Sequence, residues 1–236
     1  DIIHAGELRV VHDAMYGAGR RTISEMLMRT RTDVHNLRDE MNPGFGGIHP
    51  EPIAKHLSLL ASVMQNSNRH AGLATDGDAD RIGAMDARGQ FVDPHRIFGL
   101  ILRYLLQKRG LRGRVVRTVS TTRMVDRIAA EFGLPVIETP VGFNHISDLM
   151  IADNVVMGGE ESGGMSIHGH IPEGDGVLMG LLLLEVMAEA HKPLHVLVDE
   201  LLDAYGPAQY ARTDMKLSRP VAKEQLTLKL VESAPD

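Results

Sequence analysis

The chain has 236 residues, of which 43% are hydrophobic and 24% charged, the composition of a globular protein with a packed core. Its formal net charge is −6, from 25 basic and 31 acidic residues, which argues against a general nucleic-acid binder because such proteins need a basic face. It contains no cysteine, so disulfides and thiolate metal sites are excluded, as expected in a reducing cytoplasm.

No membrane segment or secretory leader is predicted. The most apolar run, Val177 to Ala190, is too short to cross a bilayer and includes Glu185 and Glu189. No leader pattern precedes Asp1, so we expect a cytoplasmic protein that does not associate with membranes. Because the chain begins without methionine, we also expect it to be a fragment of a longer protein.

Short apolar runs alternate with helical periodicity along the first 110 residues, which is typical of α/β units. A Pro/Gly-rich loop covers residues 42–52, and Pro52 and Pro94 are placed to begin helices. The predicted elements are strands over Leu8–Asp13 and Ala71–Thr75, helices over Arg20–Met28, Pro52–Met64 and Ile97–Gln107, and a hairpin of Ile82–Met85 with Gln90–Val92.

The alternation restarts after Lys108–Gly113, a basic connector that we take as the domain boundary. Beyond Tyr210, weak strand character extends to Leu230. We therefore predict an α/β protein with two consecutive α/β domains, each a mixed sheet flanked by helices. The second half is predicted to contain strands over Arg114–Val119, Leu134–Ile137 and Val155–Met157, and helices over Thr122–Phe132, Phe143–Ile151, Gly176–Ala190 and Leu194–Ala204.

Residues 76–81, the acidic loop, contain three carboxylates at alternate positions, Asp76, Asp78 and Asp80, followed by Arg81. Carboxylates this close repel one another unless a hard divalent cation such as Mg²⁺ lies between them. The arginine cannot bind a metal, but its planar fork can hold a phosphate beside one. The pattern predicts a metal-assisted phosphoryl site, and a solvated Asp-rich turn is the alternative.

Neither a calcium loop nor a covalent aspartate accounts for the acidic loop. An EF-hand that begins at Asp76 needs Gly at its sixth position and Glu at its twelfth, and those positions are Arg81 and Ala87. A nucleophilic aspartate would need a lysine or hydroxyl partner, and none stands out beside these acids.

A second run, residues 157–164, places Glu160 and Ser162 between pairs of glycines. In an extended loop their side chains can point the same way and bind adjacent sugar hydroxyls, although a polar turn after a strand is the alternative. Residues 139–145 form another loop at a predicted strand end, where ligands of α/β sheets gather. His168 and His170 lack a third ligand nearby in sequence, which disfavours a transition-metal site there.

Together these segments resemble the alpha-D-phosphohexomutase superfamily, the phosphoglucomutase/phosphomannomutase enzymes. The match extends from residue 8 to about 206, in the family's order, and the acidic loop and the glycine-framed Glu/Ser run are its most specific parts. The matching segments are LRVVHDAMYGAG, GFGGIHPEP, ATDGDADRIGAMDARGQFV, VVRTVSTTRMVDRIA, ETPVGFNHI, GGEESGG and IPEGDGVLMGLLLLE.

The resemblance implies which parts of a four-domain enzyme are present. Residues 1–110 correspond to the family's second, Mg²⁺-binding domain, residues 111–208 to its third, sugar-binding domain, and residues 209–236 to a linker and the possible start of the fourth. No segment resembles the family's phosphoserine loop or its Arg-x-Ser-Gly-Thr-Glu-Pro phosphate loop, so the first and fourth domains are expected to be missing partners.

The resemblance also implies roles for individual residues. The three aspartates bind Mg²⁺ and Arg81 acts in catalysis by contacting the phosphoserine. Ser120 and Thr121 fall on a loop that faces the cleft. Where relatives often carry Lys, this chain has Asn144 and Gly174, which leaves the general base open, with His145 or His170 as substitutes. The residues expected to bind substrate are Glu160, Ser162, Gly142, Phe143 and His145.

The implied reaction of the full-length protein interconverts hexose 1-phosphate and hexose 6-phosphate, of glucose or mannose, through a phosphoserine and a hexose 1,6-bisphosphate. The chain alone is expected to be inactive because the serine loop is absent. The alternative is a non-catalytic module, or degenerate homologue, that binds metal and sugar phosphate. A Mg²⁺-dependent phosphatase would require a nucleophile that the sequence does not offer.

Overall fold

A computed structural model describes residues 6–211, 213 and 220–233. Two mixed sheets flanked by helices form the fold, so the prediction of an α/β protein with two successive mixed sheets, each flanked by helices, is confirmed. Among the described residues, every helix is too short or too polar to span a lipid bilayer.

The first sheet has strand order β2-β1-β3-β4-β5 and builds the edge from which the acidic loop projects. Strands β1 to β3 run parallel, and β4 and β5 are antiparallel to their neighbours. All residues of β3 and β4, and all of β1 except Arg9, are buried, because both faces of this sheet are covered. The strands are β1 (Arg9–Asp13), β2 (Asp33–Leu37), β3 (Ala71–Thr75), β4 (Ile82–Asp86) and β5 (Phe91–Val92), with helices α1 (Thr22–Leu27) and α2 (Ser58–Gln65).

The second sheet has strand order β7-β6-β8-β9, with β6, β7 and β8 parallel and β9 antiparallel to β8. Parallel strands end at one edge, so the loops that follow β6, β7 and β8 lie side by side. The strands are β6 (Arg114–Thr118), β7 (Val136–Thr139), β8 (Val155–Gly159) and β9 (Met165–Ile167). The helices from here to the end of the described chain are α3 (Pro94–Gln107), α4 (Met124–Glu131), α5 (Phe143–Ala152), α6 (Gly176–Ala190), α7 (Leu194–Tyr205) and α8 (Lys223–Glu232).

Helix α3 joins the two halves. Asp93 caps its N-terminus by accepting a hydrogen bond from the Arg96 backbone N–H at 3.0 Å, and Pro94 occupies the first turn, as the sequence predicts. The helix packs on β4 of the first sheet and on α4, α6 and α7 of the second half, so one apolar core runs through both. The domain division at residues 110 and 208 remains a prediction.

Three local predictions are corrected. The helix expected from Pro52 begins at Ser58, after a single 3₁₀ turn over Ala54–His56. Strands β2 and β9 are absent from the prediction, because β2 is a polar, half-exposed edge strand and β9 has only three residues. Residues 223–232 form helix α8 and not the expected strand, while residues 212 and 214–219 of that prediction lie outside the described part.

Candidate active site

The acidic loop connects β3 to β4 at the end of the first sheet. Asp76 is fully buried because it directly follows the buried strand β3, whereas Asp78 and Asp80 are exposed. One carboxylate oxygen from each of the three aspartates lies within 4.8 Å of the other two. The three aspartates, at alternate positions in the sequence, therefore bring three carboxylate oxygens close together in space.

Close backbone packing fixes the path of the acidic loop. A Cβ at Gly17 would overlap the carbonyl oxygen of Asp76 and lie 2.8 Å from that of Gly77. From the other side, Gly176 donates a backbone hydrogen bond to the Ala79 carbonyl at 2.9 Å. Ala79 has φ +66, a left-handed conformation that costs energy for a residue with a side chain. The surrounding backbone therefore imposes the loop's shape.

Arg81 offsets part of the negative charge in the acidic loop. Its Nε lies 2.6 Å from Asp76 Oδ2 and 3.3 Å from Asp80 Oδ1, and its backbone N–H donates to Asp76 Oδ1 at 3.2 Å. Burial nevertheless raises the pKa of Asp76 to about 7, an increase that Arg81 opposes and the Asp80 carboxylate reinforces. Arg81 alone therefore does not offset the free-energy cost of burying Asp76 as a charged carboxylate.

The donor set fits a hard divalent cation. Metal–oxygen distances of roughly 2.1 Å for Mg²⁺ place two ligands on opposite sides of the ion about 4.2 Å apart, close to the spread of these three oxygens. Carboxylates are the ligands that Mg²⁺ prefers, and the loop lacks nitrogen or sulfur donors that would favour zinc.

A buried histidine lies in the strand beside β3, next to the start of the acidic loop. His12 on β1 is fully buried, and its Nε2 lies 3.2 Å from the Thr75 hydroxyl, one residue before Asp76. Burial lowers the pKa of His12 to about 4, so the ring is neutral at pH 7. The sequence analysis missed this residue, because a single histidine in an apolar run gives no signal of its neighbours.

Residues 160–164, the Glu-Ser loop, lie between β8 and β9. Glu160 Oε1 accepts the backbone N–H of Gly142 at 2.9 Å, which ties this loop to the one after β7. The Ser162 hydroxyl lies 3.5 Å from Glu160 Oε2, so both side chains point into the same space. Burial raises the pKa of Glu160, and the hydrogen bond from Gly142 opposes that shift.

Glu161, which the sequence analysis did not single out, points towards a different loop. Its Oε2 accepts hydrogen bonds from the Thr118 hydroxyl at 3.1 Å and the Ser120 hydroxyl at 2.5 Å. The Thr121 hydroxyl lies 2.8 Å from that of Thr118. We call Thr118, Ser120 and Thr121 the hydroxyl cluster. The only signal in the sequence was the run Thr-Val-Ser-Thr-Thr at a strand end.

The backbone joins the acidic loop to the Glu-Ser loop. Arg81 and Gly164 form an antiparallel bridge, and the Ile82 N–H donates to the Gly163 carbonyl at 3.3 Å. A Cβ at Gly164 would lie 3.6 Å from Glu160 Oε2 and 3.9 Å from the Arg81 side chain. The aspartate triplet and the Glu/Ser pair are therefore neighbours, although they come from different sheets.

A cavity of about 570 Å³ opens beside the Glu-Ser loop. Glu161 and Ser162 line one wall, and Lys55, Arg96 and Tyr210 contribute to the others. The three aspartates do not line this cavity. The Glu-Ser loop thus borders the acidic loop on one side and a separate space with basic side chains on the other.

The remaining predicted residues lie around the loop after β7. Gly142 has φ +132 and directly precedes α5, which begins at Phe143. Asn144 is exposed and His145 is half-buried. His170 Nε2 lies 2.9 Å from the Asp175 carboxylate, whose other oxygen caps α6, so His170 has a partner that the sequence did not suggest.

Comparison with known protein families supports this arrangement. The domain II model of the phosphoglucomutase/phosphomannomutase family, an alpha/beta/alpha domain, matches residues 1–89, and the domain III model matches residues 93–205. The chain belongs to the alpha-D-phosphohexomutase superfamily. The resemblance of the sequence motifs and the predicted fold class are thereby confirmed.

Individual relatives carry the names of mutases and are longer than this chain. The chain is 31% identical over 199 residues to the phosphoglucosamine mutase of Fusobacterium nucleatum, covering 84% of this chain and 44% of the relative. It is 30% identical to a phosphoglucomutase/phosphomannomutase of Thermococcus kodakarensis, covering 83% of this chain and 43% of the relative. A solved Thermus thermophilus protein, provisionally named a phosphomannomutase, matches with TM-score 0.81 and 35% identity, over 86% of this chain and 47% of that one. The chain therefore spans less than half the length of these relatives.

Proposed function

We propose that this chain supplies the metal-binding and sugar-binding halves of a phosphohexomutase, which interconverts hexose 1-phosphate and hexose 6-phosphate through a hexose 1,6-bisphosphate. The observation that carries the proposal is the backbone bridge between Arg81 and Gly164, which holds a carboxylate triplet beside a Glu/Ser pair. A phosphoryl group bound at the first can then reach a sugar bound at the second.

We assign the three aspartates to one Mg²⁺ ion, which when bound neutralises charge on the transferring phosphoryl group. Arg81, already beside Asp76 and Asp80, is in reach of the same phosphate and binds its oxygens through the guanidinium. Glu160 accepts hydrogen bonds from sugar hydroxyls, and Ser162 both donates and accepts.

Gly142, Phe143 and His145 are proposed to contact the substrate from the loop after β7. Gly142 already fixes the Glu160 carboxylate through its backbone N–H. Phe143 is half-buried at the start of α5 and offers an apolar face, while His145 offers a titratable ring next to the exposed Asn144. Competition between glucose, mannose and glucosamine 1-phosphates would define the preferred sugar, because relatives carry names of all three classes of mutase.

Metal titration tests the acidic loop. We expect Asp78→Asn to weaken Mg²⁺ binding at least tenfold by calorimetry, since one of three charged ligands is lost. Asp203→Asn on the exposed face of α7 makes the same chemical change away from the site and should leave the affinity unchanged. Equal Mg²⁺ affinity in wild type and Asp78→Asn would contradict the assignment.

An activity assay tests whether turnover requires the first and fourth domains of the family. We expect no conversion of glucose 1-phosphate by the chain alone in a coupled assay that includes Mg²⁺ and glucose 1,6-bisphosphate, because the phosphoserine that relays the phosphoryl group belongs to another domain. Robust conversion by these 236 residues would refute this part of the proposal.

A non-catalytic module that binds metal and sugar phosphate is the second candidate. It is favoured by Asn144 and Gly174, which stand where the family resemblance leads us to expect lysines. At Gly174 a Cβ would lie 2.9 Å from the Asp80 carbonyl oxygen, so the backbone leaves little room for a side chain there. Coding sequence for a phosphoserine loop upstream and a phosphate loop downstream would support the mutase, and their absence would support the module. For either candidate we propose a cytoplasmic location and no nucleic-acid partner.

A further inference from the structure

We propose that Glu161 is a positioning residue, which holds the sugar-binding side chains Glu160 and Ser162 in place without contacting substrate itself. This inference rests on the proposed function, because it concerns the same loop. It assigns to the residue between Glu160 and Ser162 a task that differs from those of its two neighbours.

The two consecutive glutamates diverge. Glu160 reaches the backbone N–H of Gly142 after β7, and Glu161 reaches the hydroxyls of Thr118 and Ser120 after β6. The Glu-Ser loop is therefore fastened to the ends of two other parallel strands of its sheet, β6 and β7. A carboxylate whose oxygen already accepts two hydroxyl protons has little capacity left for sugar hydroxyls on that oxygen.

Hydrogen bonding within the hydroxyl cluster is directional. Each hydroxyl has one proton, so Thr118 and Ser120 donate theirs to Glu161 Oε2, and Thr121 donates to the Thr118 oxygen at 2.8 Å. Thr118 is fully buried and Thr121 nearly so. The Thr121 hydroxyl also lies 3.4 Å from the carbonyl of Gly159, but its one proton is already donated over the shorter distance to Thr118. The cluster therefore holds the loop through the Glu161 carboxylate.

The other end of the loop is fixed by backbone alone. Gly163 accepts a hydrogen bond from the Ile82 N–H, and Gly164 pairs with Arg81. Loss of the Glu161 contacts would free the segment between Gly159 and Gly163, which contains both sugar-binding side chains. We therefore expect loss of Glu161 to lower sugar-phosphate affinity by increasing the disorder of its neighbours.

The test compares substitutions that separate positioning from contact. In Mg²⁺ buffer, Glu161→Ala should weaken glucose 1-phosphate binding about tenfold by calorimetry, whereas Glu161→Gln, whose amide oxygen still accepts both hydroxyl protons, should stay within threefold of wild type. Thr118→Val removes a donor from the other side and should weaken binding severalfold. Thr32→Val, a buried threonine just before β2 whose hydroxyl has no hydrogen-bond partner among the described residues, is the matched control and should have no effect.

Non-additivity gives the decisive measurement. If Glu161 and Thr118 act as one unit, the double variant Glu161→Ala, Thr118→Val should bind no more weakly than Glu161→Ala. If Glu161 contacts the sugar, Glu161→Gln should lose as much affinity as Glu161→Ala, and the Thr118→Val effect should add to it. Either of those two results would overturn the proposal.

Hydrogen exchange separates this inference from the proposed function. Amides of residues 160–163 should exchange at least fivefold faster in Glu161→Ala than in wild type, and at the wild-type rate in Glu161→Gln, with no ligand added. Unchanged exchange in Glu161→Ala would overturn the positioning role. Failure of wild type to bind glucose 1-phosphate, with the exchange pattern intact, would instead refute sugar binding and leave the fastening of the loop established.

Discussion

The acidic loop and the Glu-Ser loop occupy similar strand-end positions, but different forces hold them. In the acidic loop, backbone packing forces Asp76 into a buried site where one arginine only partly balances three carboxylates. In the Glu-Ser loop, each carboxylate has neutral donors, Gly142 for Glu160 and two hydroxyls for Glu161. The acidic loop therefore has uncompensated negative charge that a bound cation would balance. In the Glu-Ser loop the carboxylates already accept hydrogen bonds from neutral groups, and their remaining lone pairs can bind a neutral sugar.

The strongest test of the backbone contribution is Gly17→Ala. A Cβ there would overlap the Asp76 carbonyl, so we expect a loss of about 3 kcal/mol in the free energy of unfolding, and weaker Mg²⁺ binding, measured by urea denaturation and calorimetry. Gly44→Ala is the control, since its Cβ would meet only the Asn42 side chain at 3.6 Å. Near-wild-type stability of Gly17→Ala would mean that the acidic loop is not shaped by this packing.

Arg81→Gln tests the charge balance of the acidic loop. It leaves Asp76 without its cation, and at pH 8.5 without Mg²⁺ we expect a loss of about 2 kcal/mol, allowing for partial exposure of Arg81. Below the raised pKa of Asp76, near 7, that carboxyl is neutral, so the loss at pH 6 should be less than half as large. Glu160→Gln changes a carboxylate that already accepts hydrogen bonds from neutral donors. It should lower the free energy of unfolding by less than Arg81→Gln does, at both pH 8.5 and pH 6. A loss for Arg81→Gln that does not change with pH would contradict this account.

His12 gives a smaller effect, in the same direction with pH as that of Arg81. Its pKa is lowered to about 4 in the folded protein, below the ordinary value of 6.5, so the unfolded chain binds more protons between those values and the His12 contribution to stability falls as pH decreases. Between pH 7.5 and 5.5 this amounts to about 1.5 kcal/mol. The stability difference between wild type and His12→Val should shift by that amount, because subtraction removes the other titrating groups. No shift would show that His12 is not buried as a neutral ring.

The smallest expected effect concerns the exposed end of the substrate loop. Asn144→Lys introduces a cation at the exposed start of α5, and we expect glucose 1-phosphate binding to tighten two- to fivefold at low salt. High salt should remove the gain by screening. Asn144→Gln lengthens the side chain without charge and should leave binding unchanged, and an equal gain there would exclude an electrostatic cause.

Elements with strong periodicity or clear end signals were predictable. Helix α6 matches the prediction at both ends, Gly176 and Ala190, because Asp175 caps it and His191 ends it in a left-handed conformation. Strand β2 and helix α8 were not, since the first depends on partners across the sheet and the second has only a weak amphipathic pattern. The three aspartates and the Glu/Ser pair were identified because their chemistry is local, within a few residues.

By itself, the sequence determined the α/β alternation and the two clusters of oxygen donors, because hydrophobic periodicity and residue spacing act over short distances. Only the tertiary structure decided that Asp76 is buried, that Gly164 pairs with Arg81, and that Glu161 accepts a hydrogen bond from Thr118. Each of those facts depends on which backbone lies opposite a residue after distant strands pair, and no local pattern in the chain encodes that choice.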